Sequence, residues 1–401
     1  YGDSIARMLE AVGNEVSREY YFNDSGGQID RFAASIAAEM TGEESPADGY
    51  QGAYVAELAS ELAAEGVDPA DLDAVRRGGV ERIMEGIRRS LHGFGVDFDT
   101  WFSERSLYES GKVEDALDRL RATGHTYESE GALWLRTTEF GDDKDRVLVR
   151  AGGAPTYLAG DVAYHADKLE RGFERLINVL GADHHGYITR MRAAVVCLGA
   201  PADAFEAQIM QLVHIVEGGE RAQMSKRRGE FVTLDELVED IGVDAARYFM
   251  LQRSHDTTVD LDLELARRES NENPVYYVQY AHARISSILR KALEAGASGA
   301  PAADRGPGRA TPLEPAERAL IKRLLELPGE VGEAAERRAP HRLCAYATTV
   351  AADFHAFYRD CQVLGADGDG VEASRLLICQ LTKRTIASTL GLLGISAPVR
   401  M

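Results

Sequence analysis

The chain has 401 residues, 45 Lys and Arg against 65 Asp and Glu, a formal charge of -20 and four cysteines. That length allows two or three domains with sizeable cores, and the acidic balance argues against indiscriminate nucleic-acid binding, which usually carries a basic footprint. No window approaches the run of about 18 apolar residues that a membrane helix needs, and Cys197, Cys344, Cys361 and Cys379, without CxxC spacing, are expected as buried reduced thiols of a cytosolic protein.

The opening YGDSIARMLEAVG reads as an amphipathic helix with Tyr1, Ile5, Met8, Leu9 and Val12 on one face, not as a secretory signal. With no initiator Met, the chain is expected to be part of a longer protein. EVSREYYFN alternates as a half-buried strand should, and an Ala-rich helix is expected from about Gln28 to Met40. Helix then strand implies an α/β sheet with an earlier strand upstream. Gly52 to Ser90 reads as interrupted helix, DFDTWFSERSLYESG as a connector, and Lys112 to Ala122 as helix. TYESEGALWLRT, the acidic turn GDDKD and RVLVR make an antiparallel meander. It reads as part of an inserted subdomain.

From Pro155 the α/β pattern returns, with a helix near Gly160, strand-to-turn in RLINVLGADHHG, a helix from Tyr187 to Leu198 and one strand in AQIMQLVHIV. The stretch QMSKRRGEFVTLDEL, Gln223 to Leu237, joins a cationic, Gly-terminated loop to a strong helix start. Thr233 and Glu236 have capping-box spacing, and Val232 can staple onto Leu237. Asp244 is expected to cap the helix AARYFMLQRS.

From about His255 the character is all helix. Asn273 is an Asn cap ahead of Pro274, and Val275, Val278, Ile285, Leu289 and Leu293 form one stripe. Ala295 to Pro312 is low-complexity loop. Amphipathic stretches near Glu314–Leu327, Pro340–Arg359 and Glu372–Leu392 complete a bundle of four or five helices. From Glu372 to Met401 a single acid stands against Arg375, Lys383, Arg384 and Arg400, so the last helix can present a phosphate-facing stripe.

Five strings carry a family likeness: PTYLAGD, GADHHGYITRM, QMSKRRGEFVTLDEL, SNENPVYYVQYAHAR and LLGISAPVRM. In that order they resemble the bacterial-type arginyl-tRNA synthetases, and the likeness runs from Tyr1 to Met401. It implies an α/β, Rossmann-type class I synthetase catalytic domain at 1–255, with an inserted subdomain at about 52–150 and a KMSKS-type loop at 221–230. An all-α helical-bundle anticodon-binding domain follows at 256–401. The family also has an N-terminal add-on domain and a HIGH motif, and Tyr1 falls just downstream of where HIGH would lie. The implied reaction has two steps: the arginine carboxylate attacks the ATP α-phosphate and releases pyrophosphate, and the tRNA 3′ end then takes the aminoacyl group with release of AMP. ATP with Mg2+, L-arginine and an arginine tRNA are the implied partners, for a monomer in the cytoplasm without a membrane.

Lys226 matches the second lysine of the KMSKS-type loop, as a cation for the departing pyrophosphate, with Met224 and Ser225 at anchoring positions and Gln223 in place of the first lysine. Such chemistry is mostly positioning and electrostatics. Tyr157 and Asp161, four apart on a helix, match the pair that reads the guanidinium; a carboxylate accepts a bidentate fork that a lysine ammonium cannot fill. Gly181 allows close approach of ATP at the sheet's C-terminal edge, Asp183 resembles the acid that binds ribose, and His184 and His185 are candidates to line the arginine and ATP pockets. Asn23 and Asp24 are candidates to reach substrate. On the helical domain, Tyr276, Tyr277, Tyr280, Arg284, Tyr358 and Met401 are candidate contacts for unpaired anticodon bases. No metal site is expected. Two other readings stay open on sequence: a non-catalytic truncated relative that binds tRNA or arginine, and an α/β nucleotidyl-transferring enzyme without RNA.

Overall fold

The computed structural model describes residues 1–182, 185–221, 233–296 and 311–401. In chain order, α1 (Gly2–Ala11) and β1 (Glu19–Phe22) precede α2 (Gly27–Thr41), α3 (Ala53–Ala64) and α4 (Leu72–Gly93). β2 (Thr100–Ser103), α5 (Glu104–Glu109) and α6 (Lys112–Ala122) lead into β3 (Thr126–Ser129), β4 (Ala132–Leu135), a 3-10 turn (Thr137–Phe140) and β5 (Arg146–Val149). Then come α7 (Tyr157–Glu170), β6 (Leu176–Gly181), α8 (His185–Cys197), β7 (Phe205–Met210), β8 (Val213–Glu217) and β9 (Glu220–Arg221). α9 (Leu234–Leu251), β10 (Val259–Asp262) and α10 (Leu263–Arg267) precede the helices α11 (Pro274–Glu294), α12 (Pro315–Leu325), α13 (Leu327–Glu336), α14 (Pro340–Asp360) and α15 (Val371–Leu392). Compactness divides these elements into two units, Ser17–His92 with Asp97–Met210, and Tyr1–Val16 with Gly93–Val96 and Gln211–Met401.

The first unit holds two parallel strand pairs, β1 with β2 and β6 with β7, and the antiparallel meander β3-β4-β5. Leu133, Leu135 and Leu148 of the meander share one core with Val162, Met191 and Phe205 from the α/β elements. The inserted strands are therefore packed into the body that carries them. A smaller core of Phe32, Ile36, Leu58, Leu62 and Val75 joins α2, α3 and α4.

Three expectations need correction here. The segment read as a connector contains a strand and a helix: Thr100–Ser103 pairs with β1, and the Ser103 hydroxyl accepts the Ser106 N–H to start α5. Four residues between polar flanks are too few to show a period. The helix expected near Gly160 starts at Tyr157. AQIMQLVHIV is two strands, broken at Gln211, whose N–H goes to the His255 carbonyl at 2.9 Å. β7 pairs with β6, whereas β8 pairs with β10; a mostly apolar run does not announce a change of partner.

In the second unit, the parallel pair β8 and β10 has β9 antiparallel on its edge. Its helices share a core that includes Met8, Tyr248, Val278, Leu343, Phe354 and Phe357. Thr233 and Glu236 form the expected capping box, with bonds of 2.8 and 3.1 Å. The Asn273 carboxamide caps α11 at the Val275 N–H, 3.2 Å away. Leu293 departs from the expected stripe at 68% exposed, as does Val12 from the face of α1 at 45%. A fifth bundle helix, α13, begins afresh at Leu327–Pro328, where proline is tolerated in a first turn. Val232 lies outside the described residues. Among the described residues, no helix is long and apolar enough to cross a membrane.

Asp244 does not act as the expected cap. α9 is broken by Gly242 at φ 79 and ψ 158, a conformation open essentially to glycine alone. The Asp244 carboxylate instead accepts the Ser396 N–H at 2.9 Å and the Gln279 amide at 2.7 Å, and also bonds the Ser396 hydroxyl. One turn further on, Arg247 is 3% exposed. Its Nε donates to the Leu393 carbonyl at 2.9 Å, Nη1 to the Phe94 carbonyl at 3.2 Å, and Nη2 pairs with Asp3. Gly394 has φ +69, and a methyl group there would overlap this guanidinium. Gly394→Ala is therefore expected to cost about 3 kcal/mol or more, as overpacking plus left-handed strain, read as a lower urea midpoint. An unchanged midpoint would show that the guanidinium can move aside freely.

Candidate functional site

The first unit carries a half-buried acidic cluster. Asp161 stands one turn into α7, and its carboxylate has no hydrogen-bond or ion-pair partner among the described residues. Burial drives this carboxyl up to about 7, with Arg190 and Lys168 opposing and Glu104 adding to the rise. Glu104, in the first turn of α5, is 4% exposed. Its carboxyl is also raised by burial, against the hydrogen bond from Tyr21 and with the charge of Asp24. Two carboxyl groups driven toward their neutral forms beside one another mark a place prepared for a cation.

Sequence reasoning missed Glu104 because it sits in the segment read as connector. The close approach of α5 to α7 has a local cause in Gly160. A Cβ there would lie 3.1 Å from the Tyr108 hydroxyl and 3.7 Å from Glu104 Oε1. Burial raises the Tyr108 phenol, which shares the electrostatic neighbourhood of Glu104, Asp161 and Tyr157. Burial also drives the Tyr21 phenol well above its usual range. Tyr157, at the first residue of α7, is 67% exposed and stands at the rim. No local signal singles out Glu104: Ser103 caps α5 at the Ser106 N–H, but Ser-x-x-Ser lacks the Glu or Gln of a capping box.

Behind Asp161, its own backbone carbonyl accepts from Nδ1 of the buried His165 at 2.7 Å. Nε2 of that ring accepts from the Asn178 amide at 3.0 Å, and Asn178 Oδ1 accepts from Lys168 Nζ at 3.3 Å. Burial lowers His165 to about 3 and Lys168 to about 8. The imidazole is therefore neutral at physiological pH, and the turn that presents Asp161 is anchored on β6. Asp24 holds the start of α5: its oxygens accept the Ser103 hydroxyl at 2.6 Å and the Arg105 N–H at 2.9 Å. Asn23 accepts the Ser25 N–H at 3.2 Å. Gly181 ends β6, opposite Met210. Asp183, His184, the side chain of His185, Met224, Ser225 and Lys226 lie outside the described residues.

The second unit carries a cleft of about 860 Å³ between α11, α14 and the C-terminal tail. Tyr280, Arg284, Tyr358 and Met401 meet there, with Arg290, Lys291 and Arg400 also on the walls. The described lining contains no acidic side chain, so a strongly acidic chain has a cationic recess here. The Arg284 guanidinium lies between two rings, 4.9 Å from the Tyr280 centroid and 5.1 Å from that of Tyr358. Tyr276 stacks on Tyr280 at 6.1 Å and 8°. This aromatic and cationic ladder suits unpaired bases and phosphates. Tyr277 stands apart, packed against the core with its ring 4.9 Å from His355.

Comparison with known proteins places both units. Residues 70–286 match the family described as tRNA synthetases class I (R), catalytic domain, and 278–401 match the DALR anticodon binding domain. An arginine–tRNA ligase of Desulforudis audaxviator is 48% identical over 412 aligned positions, covering 100% of this chain and 73% of the relative. A Campylobacter jejuni structure described as an arginyl-tRNA synthetase superposes with TM-score 0.89 at 32% identity, covering 100% of this chain and 88% of that one. Arginyl-tRNA synthetase of Thermus thermophilus superposes with TM-score 0.80 at 27% identity, over 100% and 78% of the two chains. With an acidic pocket in one unit, a cationic cleft in the other and this degree of likeness across the whole length, the chain belongs to the class I arginyl-tRNA synthetase family.

Proposed function

We propose that the chain joins L-arginine to arginine tRNA at the expense of ATP, with the Asp161–Glu104 pocket as the guanidinium receptor. The observation that carries this reading is the carboxylate of Asp161, without a hydrogen-bond or ion-pair partner among the described residues, beside buried Glu104. A planar guanidinium offers a fork of donors that can engage two carboxylates, and the Tyr108 and Tyr157 phenols supply further contacts at the rim. A lysine ammonium, compact and strongly hydrated, fills such a pocket poorly. Binding favours the charged form of Asp161, so the desolvation cost built into the site becomes selectivity for the right cation.

Adenylation then requires the arginine carboxylate to meet the ATP α-phosphate, with cations to stabilise the charge leaving as pyrophosphate. We assign that role to Lys226, with Met224 and Ser225 anchoring its loop, on the motif match alone. Gly181, Asp183 and His185 are proposed at ATP, and His184 at arginine. Mg2+ is proposed to arrive on the ATP phosphates. The 860 Å³ cleft is proposed to receive the anticodon loop through Tyr280, Arg284, Tyr358 and Met401, with Tyr277 supporting from the core. Residues 1–255 act as the catalytic module and 256–401 as the anticodon module. A cytoplasmic monomer completes the reading, and the four unpaired, buried thiols fit a reducing compartment.

Asp161→Asn should lower kcat/KM for arginine by about two to three orders of magnitude, the loss expected when one partner of a buried charge pair is removed. Discrimination against lysine should fall with it, and retained discrimination would refute the assignment. The same variant should be the more heat-stable protein in the absence of arginine. The folded chain holds the Asp161 proton up to about 7, while the unfolded chain gives it up in the ordinary carboxylate range. Stability is thus lost as pH rises toward and through 7, and the gain on changing to Asn should be larger at pH 8 than at pH 5, by a few degrees in Tm.

Arginine affinity in the unmutated chain should weaken as pH falls below about 7, because the carboxylate must first lose its proton. Titration calorimetry in buffers of different ionisation enthalpy should detect proton release on binding near pH 6, and none near pH 9. Lys226→Ala should lower kcat by at least about tenfold with little change in arginine affinity, as expected for a contact made in the transition state.

A further inference from the structure

The walls of the cationic cleft have different origins. Tyr280, Arg284, Arg290 and Lys291 stand on α11 and Tyr358 on α14, both secured by the core, but Val399, Arg400 and Met401 belong to a tail with no secondary structure of its own. Past Ile395, the last deeply buried side chain before them, the tail is held by polar contacts. Asp244 accepts the Ser396 N–H and hydroxyl, the Gln279 amide donates to the Ser396 carbonyl at 3.0 Å, and Nδ1 of His282 donates to the Pro398 carbonyl at 2.8 Å. Gln279 and His282, three apart on α11, grip from one side, and Asp244 grips from α9. Asp244 also orders Gln279, whose amide nitrogen it shares with Ser396.

We propose that Asp244 is a positioning residue for tRNA: without touching RNA, it fixes the C-terminal tail so that Val399–Met401 form the third wall of the cleft. This rests on the reading of the cleft as the anticodon site. Asp244 lies just past the Gly242 break in α9, and the break aims this turn at the tail. An extended peptide of this kind has high conformational entropy when released, so loss of the anchor should leave the wall unformed while the helical body stays folded.

The test uses the full chain and an arginine tRNA transcript, with the dissociation constant measured by filter binding. Asp244→Ala should weaken binding by about 3- to 30-fold, the span of a typical coupling between residues in one network, and deletion of residues 399–401 should weaken it at least as much. The decisive readout is the combination. In the deleted background Asp244→Ala should have no further effect, because the wall it positions is gone, whereas a general loss of stability would reduce affinity by the same factor in both backgrounds. Asp244→Asn, which keeps an oxygen for the Ser396 N–H, should recover part of the loss. If Asp244→Ala does not fold, Ser396→Ala removes a single hydroxyl from the same contact and should show a smaller loss with the same non-additivity.

Arg284→Ala separates the two levels. Impaired binding by Arg284→Ala with unaltered binding by Asp244→Ala and Ser396→Ala, or equal factors in both backgrounds, would overturn the positioning role and leave the cleft as the RNA site. Unaltered binding by Arg284→Ala and by the deletion would remove the cleft from tRNA recognition, and the inference would go with it.

Discussion

The buried Arg247 guanidinium ties together segments of the second unit that are far apart in sequence. It meets the Asp3 carboxylate from α1, the carbonyls of the 93–96 segment and the Leu393 carbonyl beyond α15. A buried charge is tolerable only when its donors are filled, and the rigid fork of arginine fills them only if all these segments are in place. The contact therefore sets register as well as stability. Asp244, one turn earlier, continues the same grip onto Ser396, so one face of α9 fixes the beginning of the tail whose end reaches the cationic cleft.

The acidic pocket of the first unit is built on the opposite principle. Arg247 has partners for its charge, whereas among the described residues no side-chain cation is bonded between Asp161 and Glu104, and burial pushes both toward neutrality. That arrangement is unfavourable for the protein alone, which is the physical ground for proposing a ligand there. The supporting groups are fully engaged: His165, Asn178 and Lys168 bond to one another behind the pocket, and Asp24 secures the first turn of α5.

Residues whose roles are local were legible without coordinates. The Thr233–Glu236 capping box, the Asn273 cap and the meander each depend on neighbours within a few positions, and each forms as its pattern indicates. Glu104 was not legible, because its partner Asp161 lies beyond the whole meander in the chain, and the short elements β2 and α5 that deliver it have no period. Asp244 was misread for a related reason: an acid before an alanine-rich helix looks like a cap, and nothing nearby says that Ser396 will take its oxygens.

The sequence by itself determined the family likeness, the helix and strand vocabulary and the residue types available for recognising arginine and RNA, since these follow from local propensity and motif. Tertiary structure alone decided which acids lose their water, which tyrosines stack on Arg284 and which end at the core, and where the C-terminal tail is held. Burial and charge proximity are properties of segments brought together from distant parts of the chain, and no local pattern encodes them.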